Sequence, residues 1–327
     1  MKKVSVIGLG LWGTALAQHL SANGITITGW DRNDSITKEI NSKKNHPKFF
    51  KEHKLDFKAT SDFAVATLES DLIMLVTATK ALPEIIERLK VLNTVSPILS
   101  CMKGFCGNDA DTPLQFLRKN KFNSNQLAVL AGPSFAIDVI NKKPVGLVIA
   151  SENITLSEQI TKIFSSKTLR PYTSTDPIGV ELGGAIKNVI AIAAGISDAL
   201  EFGESARASI ITRGLAEILR LGIFLGAKKE TFFGLSGLGD LQMTCSSTTS
   251  RNHTVGYRLG KGEAIDEIIS SLGSVAEGVT AARYVCKIAT ENNIEMPISQ
   301  QVLSILNGEI SPKDATIQLM SRPIKCE

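Results

Sequence analysis

The sequence predicts an α/β protein in which a Rossmann-type, doubly wound and mostly parallel sheet is followed by an all-α C-terminal domain. Three observations predict this fold. Short β-branched runs alternate with helical patterns in the first half, a glycine-rich turn follows the first run, and strand patterns stop after Pro177. The 327 residues are enough for two domains. We place the sheet domain at residues 1–178 and the helical domain at residues 179–327.

The elements of the first half follow from its apolar spacing. Short β-branched runs predict strands, and apolar residues at helical spacing predict helices. Because the two kinds of element alternate, they are expected to form βαβ units with parallel strands. The predicted strands are Val4–Ile7, Ile25–Trp30, Leu72–Val76, Pro97–Ser100, Leu127–Leu130 and Val145–Ala150, and the predicted helices are Thr14–Ala22 and Pro83–Leu89.

The second half shows only helical periodicity. Glycines and prolines, as at Gly234–Gly239 and Pro297, separate the apolar patterns from one another. The predicted helices are Leu182–Ile196, Ser205–Leu225, Val279–Glu291 and Ile298–Leu306.

The charge balance indicates which partners to expect. The net charge is +4 and the basic residues are dispersed, which argues against nucleic acid and suits a small anionic ligand. No apolar run reaches the roughly 18 residues that a membrane helix needs, so we expect no membrane span.

The chain begins with Met-Lys-Lys and an apolar run, as an export signal does. A first strand and helix explain its glycines better than a signal peptide does.

The cysteines indicate a reducing compartment. Five are scattered along the chain, with no C-x-x-C pair and no zinc spacing. We therefore expect reduced thiols, a cytoplasmic protein and no metal. A redox role for Cys106 is the alternative, and no charged neighbour in the sequence supports it.

A nucleotide-binding loop is indicated by the stretch VSVIGLGLWGTALA. Gly8, Gly10 and Gly13 fit G-x-G-x-x-G between a strand and a helix, where backbone N–H groups face a pyrophosphate. The second strand ends at Asp31, which is placed for a ribose 2′-hydroxyl and favours NAD. Arg32 follows and is suited to the 2′-phosphate of NADP. NAD and NADP therefore both remain open as the cofactor.

One charged residue interrupts the apolar stretch VELGGAIKNVIAIAAGISD. Burying the ammonium of Lys187 costs several kcal/mol unless it is paired or loses its proton. Lys187 is therefore expected either to face solvent or to line a cleft where its charge is used. In apolar surroundings its pKa is expected to fall toward neutrality. Gly183, Gly184 and Ala191 are expected to leave room beside it.

Three further stretches carry polar groups suited to an anionic substrate. SCMKGF and LAGPSFA place Lys103, Gly132 and Ser134 after strands, although each is also an ordinary loop residue. In the stretch from Gly234, glycines lead to Asp240, and Ser250-Arg251-Asn252 opens a helix. An arginine beside amide and hydroxyl groups at a helix start suits phosphate or carboxylate, and the alternative is a capped helix with an exposed Arg251.

Taken together, these motifs resemble the bacterial-type NAD(P)-dependent glycerol-3-phosphate dehydrogenases over essentially the whole chain. The matching stretches are GLGLWGTALA, MKG, AGPSFA, IGVELGGAIKNVIAIAAGISD, ITRGLAE, GLSGLGDLQMTC and SRNHTVG. The resemblance implies that Lys187 is the catalytic acid/base. It implies substrate contacts at Lys103, Gly132, Ser134, Lys187, Asp240, Ser250, Arg251 and Asn252, with Asn188 and Thr244 as neighbours. It implies cofactor contacts at Gly8, Gly10, Leu11, Trp12, Gly13, Arg32, Lys103, Ala136, Arg251, Val275 and Glu277.

The resemblance also implies an activity. Such an enzyme reduces dihydroxyacetone phosphate to sn-glycerol 3-phosphate with NAD(P)H, reversibly, and its product supplies phospholipid synthesis. We further expect a homodimer. The alternatives are a β-hydroxyacid dehydrogenase, which also uses a lysine base, and a nucleotide sensor without catalysis.

Overall fold

The computed structural model describes residues 1–273 and 276–324, which fold into eight strands and fifteen α-helices. They divide into two compact units, one of Met1–Glu181 and one that begins at Leu182. The first contains the whole sheet, and the second is helical. The predicted fold class is therefore confirmed.

The sheet of the first unit has the order β3-β2-β1-β4-β5-β6-β7-β8. All neighbours pair in parallel except β6 and β7, which are antiparallel. From β3 to β6 this is the doubly wound order of dinucleotide-binding folds. The strands are Lys3–Ile7 (β1), Thr26–Trp30 (β2), Lys58–Thr60 (β3), Leu72–Leu75 (β4), Ile98–Ser100 (β5), Leu127–Ala131 (β6), Val145–Ala150 (β7) and Leu169–Ser174 (β8).

Helices cover the sheet, so its central strands are apolar without alternation. Every residue of β4 and β6 is buried, as expected of strands covered on both faces. The helices that begin in the first unit are Leu11–Ala22 (α1), Asp34–Lys43 (α2), Phe63–Thr67 (α3), Leu82–Val91 (α4), Pro113–Lys119 (α5), Ala136–Ile140 (α6), Ile154–Phe164 (α7) and Pro177–Ala199 (α8).

Two strands escape sequence analysis because their residues do not form an apolar run. β3 has three residues, and β8 is an edge strand that contains Pro171 and exposes alternate side chains. Proline is tolerated at a sheet edge, where its missing N–H costs no ladder bond. The first helix also begins at Leu11 rather than at the predicted Thr14.

The second unit packs its helices around α8. Among the described helices, only Pro177–Ala199 is long and apolar enough to meet the criteria for a membrane span, and 89% of its apolar window is buried within the fold. It is therefore a core helix by its packing. The remaining helices are Glu204–Phe224 (α9), Asp240–Cys245 (α10), Arg251–Gly260 (α11), Ile265–Leu272 (α12), Glu277–Glu291 (α13), Pro297–Leu306 (α14) and Pro312–Met320 (α15).

A buried carboxyl group ties the first turn of α8 to the N-terminus of α5. Glu181 Oε2 accepts a hydrogen bond from Thr112 Oγ1 at 2.6 Å, and Oε1 accepts one from the Leu114 N–H at 2.9 Å. Burial raises the pKa of Glu181 to about 7, although both hydrogen bonds oppose the shift. The Glu181 carboxyl of the folded state therefore stays protonated at pH values where the same group of an unfolded chain is ionised.

This raised pKa predicts a loss of stability as pH rises. Below about pH 4.5 the group is protonated in both states, and above its folded pKa of about 7 it is charged in both. Between these values the free energy of unfolding should fall by about 3 kcal/mol, at about 1.4 kcal/mol for each unit of pKa shift. Urea unfolding of Glu181→Gln and of the wild type at pH 5 and pH 8 measures this. A constant difference between the two proteins would contradict the prediction.

Candidate active site

The glycine loop of the first unit has the geometry of a dinucleotide-binding turn. Gly8 has a φ of +106°, a conformation that other residues rarely adopt. A Cβ at Gly13 would lie 1.9 Å from the Gly8 carbonyl oxygen, whereas a Cβ at Gly10 would meet nothing within 4 Å. Gly10 also caps α1 without a side-chain hydrogen bond. The open space at Gly10, at a helix N-terminus, fits the pyrophosphate of NAD(P).

A histidine that the sequence analysis missed supports this loop through a hydrogen bond to the loop backbone. His46 is fully buried, and its Nε2 lies 3.0 Å from the Leu9 carbonyl oxygen. Its Nδ1 accepts hydrogen bonds from the N–H groups of Lys48 and Phe49, so Nε2 is the donor. Burial lowers the pKa of His46, which favours this neutral form. A lone histidine in a polar segment carries no sequence signal for such a role.

Two predicted cofactor residues follow β2, and two begin α1. Asp31 accepts a hydrogen bond from the Asn33 N–H at 2.9 Å, and Arg32 is exposed. Leu11 is exposed and Trp12 packs partly against the core. The side chain at position 11 is apolar, so only the backbone can donate to an anion there.

The predicted substrate residues of the first unit lie together. Lys103 Nζ donates to the Gly132 carbonyl oxygen at 3.4 Å, and Ser134 Oγ donates to the same oxygen at 3.4 Å. Gly132 has a φ of +142°, which explains why glycine stands there. Ala136 begins α6 just beyond and is buried. These residues therefore form one polar cluster after β5 and β6.

In the second unit, Lys187 is buried and paired. Its Nζ lies 2.6 Å from Asp240 Oδ1 and donates to Thr244 Oγ1, also at 2.6 Å. Lys187 is 4% exposed and Asp240 is 0% exposed. The ammonium is therefore paired, as its burial in an apolar helix requires, because a carboxylate and a hydroxyl compensate for the lost solvation.

The room expected beside Lys187 is partly filled by backbone. A Cβ at Gly183 would lie 2.6 Å from the Ser236 carbonyl oxygen. That carbonyl belongs to the π-helical turn Leu235–Gly239, which leads directly into α10 and Asp240. Glycine at position 183 therefore allows this turn to approach α8. Asn188, the next residue after Lys187, donates to the Gly184 carbonyl oxygen at 3.3 Å.

The predicted phosphate-binding residues form the first turn of α11. Ser250 Oγ caps the helix by accepting from the His253 N–H at 3.3 Å. Asn252 Oδ1 accepts from the Gly278 N–H at 3.0 Å and so supports the start of α13. Arg251 is exposed. The side chains of Ser250 and Asn252 thus bond to backbone N–H groups of the protein. The exposed guanidinium of Arg251 is the accessible cation of this turn.

Two predicted cofactor residues lie at or near the start of α13. Glu277 is the first residue of α13, and Val275 lies outside the described residues.

Cys106 is 3% exposed, so its thiol is not accessible. Cys245 lies near Lys187, and burial raises its pKa to about 12. Within residues 1–273 and 276–324, no three His, Cys, Asp or Glu side chains are grouped to hold a metal.

Comparison with known proteins identifies the family of this chain. Two family profiles match, described as the N-terminus of NAD-dependent glycerol-3-phosphate dehydrogenase over residues 3–157 and its C-terminus over residues 176–317. The chain belongs to the NAD-dependent glycerol-3-phosphate dehydrogenase family. It is therefore an oxidoreductase that uses NAD(P), and the sensor and hydroxyacid alternatives fall away.

Full-length relatives support this family assignment. The chain is 40% identical to the glycerol-3-phosphate dehydrogenase (NAD(P)+) of Parvibaculum lavamentivorans, covering 100% of this chain and 98% of that protein. It is 37% identical to that of Staphylococcus haemolyticus, covering both completely. The crystal structure of glycerol-3-phosphate dehydrogenase from Coxiella burnetii superimposes with a TM-score of 0.92 at 33% identity, over 98% of this chain and 99% of that one.

The loop geometry predicts different outcomes for two glycines of this dehydrogenase. Gly10→Ala should fold with an unchanged melting temperature, because its Cβ meets no atom. It should weaken NADH binding by about tenfold or more, or about 1.4 kcal/mol, because the methyl group enters the space that fits the pyrophosphate. Gly13→Ala should instead lose about 1–3 kcal/mol of stability through its clash with Gly8.

Melting curves and NADH fluorescence titrations of both variants measure these effects. Wild-type NADH affinity in a folded Gly10→Ala protein would contradict the loop assignment.

Proposed function

We propose that the enzyme reduces dihydroxyacetone phosphate to sn-glycerol 3-phosphate, reversibly, and that Lys187 exchanges the proton. The observation that carries this proposal is the buried contact of Lys187 with Asp240 and Thr244, in a chain of this family. Reduction of a ketone requires a proton at oxygen as negative charge develops there, and a positioned lysine supplies it. When bound, reduced NAD(P) supplies the hydride that C2 receives.

Asp240 and Thr244 orient the lysine in this proposal. Lys187 has three N–H donors, of which one points to Asp240 and one to Thr244. Thr244 Oγ1 in turn donates to the Asp240 carbonyl oxygen at 2.6 Å. These two contacts fix the position of the ammonium, and a fixed position is the geometric requirement for efficient proton transfer to the substrate oxygen.

Arg251 and the first turn of α11 hold the substrate phosphate. The exposed guanidinium offers a bidentate fork, and the N-terminus of a ten-residue helix adds a positive dipole end. Ser250 and Asn252 shape this turn and contribute polar atoms. Lys103, Gly132 and Ser134 are the substrate residues of the first unit, with Lys103 also serving the cofactor.

The cofactor is either NADH or NADPH, as in the names of the relatives. Gly8, Gly10, Leu11, Trp12 and Gly13 would bind the dinucleotide at the loop. Arg32 would pair with a 2′-phosphate and Asp31 with a 2′-hydroxyl. Further cofactor contacts are proposed at Ala136, Arg251, Val275 and Glu277. We also propose a cytoplasmic enzyme whose product supplies phospholipid synthesis, which fractionation and labelling of glycerolipids would test.

The first test is NADH and NADPH oxidation on addition of dihydroxyacetone phosphate. Lys187→Met should lower kcat by roughly 10²–10⁴, the range for loss of a general acid. Because this change removes the ammonium beside the buried carboxylate of Asp240, the double variant Lys187→Met/Asp240→Asn removes both charges and protects the fold. Lys261→Met, on the surface, is the matched control and should retain wild-type kcat.

Near-wild-type turnover in either folded variant would remove Lys187 from the mechanism. The ratio of the NADH and NADPH oxidation rates of the wild type indicates whether Asp31 or Arg32 dominates the choice of cofactor. No oxidation of either cofactor would refute the reaction.

A homodimer is supported by an apolar groove in the second unit. The groove encloses about 730 Å³ between α8, α9, α14 and α15. Phe202 and Met320 line it and are 44% and 82% exposed. A second copy that covers the groove would bury these apolar groups.

Sedimentation velocity tests the homodimer. We expect twice the 35.1 kDa chain mass for the wild type and a shift to the single-chain mass for Phe202→Asp/Met320→Asp. Leu92→Asp, on an exposed site in the first unit, is the control. A wild-type protein that sediments as a single chain would refute the homodimer.

A further inference from the structure

A second charged cluster in the helical unit lies next to the phosphate-binding turn. Asp198, in the last turn of α8, accepts two hydrogen bonds from Arg207 of α9, at 3.1 Å to Oδ1 and 3.0 Å to Oδ2. Asp198 Oδ2 also lies 2.7 Å from His253 Nε2 of α11. The His253 side chain is only 5% exposed, and that of Asp198 is 19% exposed. Three helices therefore meet at one carboxylate.

His253 is held at both its backbone and its side chain. Its N–H donates to Ser250 Oγ, and its ring bonds Asp198. Arg251 and Asn252 lie between Ser250 and His253 in the sequence. The two bonds of His253 therefore tie the turn that carries the exposed guanidinium of Arg251 to Asp198 of α8.

The backbones of α8 and α11 are in direct contact near this cluster. A Cβ at Gly195 of α8 would lie 2.1 Å from the His253 carbonyl oxygen, and a Cβ at Gly256 of α11 would lie 1.9 Å from the Ile192 carbonyl oxygen. Glycine at both positions fixes how closely the helices approach. It does not fix their rotation about that contact. A directional bond between the two helices, such as that of Asp198 and His253, supplies this constraint.

We propose that Asp198 and His253 are a positioning pair that sets the Arg251 turn relative to Lys187, which lies on the same helix as Asp198. This inference rests on the proposed function. Arg207 orients the Asp198 carboxylate through two bonds, and Asp198 then fixes the imidazole. We assign the pair no contact with substrate or cofactor. It acts on the reaction through Arg251, whose placement determines how the substrate phosphate is held while its carbonyl is reduced.

The experiment compares four variants of the full chain in steady-state kinetics with dihydroxyacetone phosphate. His253→Leu keeps bulk and removes the donor, whereas His253→Gln keeps an N–H donor at the position of Nε2. His253→Leu should lower kcat/KM by about tenfold, mainly through KM, or about 1.4 kcal/mol. His253→Gln should restore most of this loss. Arg251→Ala should lower kcat/KM further, and Arg251→Ala/His253→Leu should be no worse than Arg251→Ala alone.

Two further measurements separate positioning from general stability. Affinity for NADH should fall by less than affinity for sn-glycerol 3-phosphate in the His253 variants, since Arg251 is one of many proposed cofactor contacts but the main proposed phosphate contact. Calorimetric affinity for sn-glycerol 3-phosphate should fall as KM for dihydroxyacetone phosphate rises, independently of turnover. Melting temperatures identify any variant that does not fold. If His253→Leu does not fold, kinetics of His253→Gln remain as the test of the positioning role.

The outcomes are distinct. An unchanged KM in folded His253→Leu, or losses that add fully in the double variant, would overturn the positioning role. A wild-type protein that neither binds nor turns over glycerol phosphate would instead refute the proposed function.

Discussion

The buried ion pair of Lys187 and Asp240 is the interaction on which the helical unit depends. An unpaired ammonium at this depth would cost several kcal/mol, so the lysine requires a partner delivered from another part of the chain. The π-helical turn Leu235–Gly239 and α10 deliver Asp240 and Thr244. That turn reaches α8 only because position 183 is glycine. The proposed proton-transfer group and the packing of the unit thus rest on the same few atoms.

The sequence contained enough information for the fold class and for most polar residues of the candidate site. The glycine loop is predictable because its backbone requirements are local: a tight turn at Gly8 and a close approach at Gly13. Lys187 is predictable because a charge in an apolar helix requires compensation. Its roles and those of its neighbours were supplied by the family resemblance, and they remain proposals.

Long-range contacts explain what the sequence analysis missed. β3 and β8 are defined by pairing with neighbours rather than by apolar runs of their own. His46 binds the Leu9 carbonyl oxygen across 37 positions of sequence, and no periodicity reports such a bond. The expected free space at Gly183 was wrong for the same reason, because the backbone that fills it arrives from residue 236.

The glycine loop and the residues that follow β2 differ in how freely they can change. Gly13 and His46 are enclosed by backbone, so substitution there alters the turn itself. Asp31 and Arg32 lie at the end of β2, where Arg32 is exposed and outside the packed core. In evolutionary terms, the coenzyme preference that we propose for Asp31 and Arg32 can drift through substitutions outside the core at almost no cost in folding. Lineages with different supplies of reducing equivalents could therefore retune the enzyme without rebuilding its scaffold.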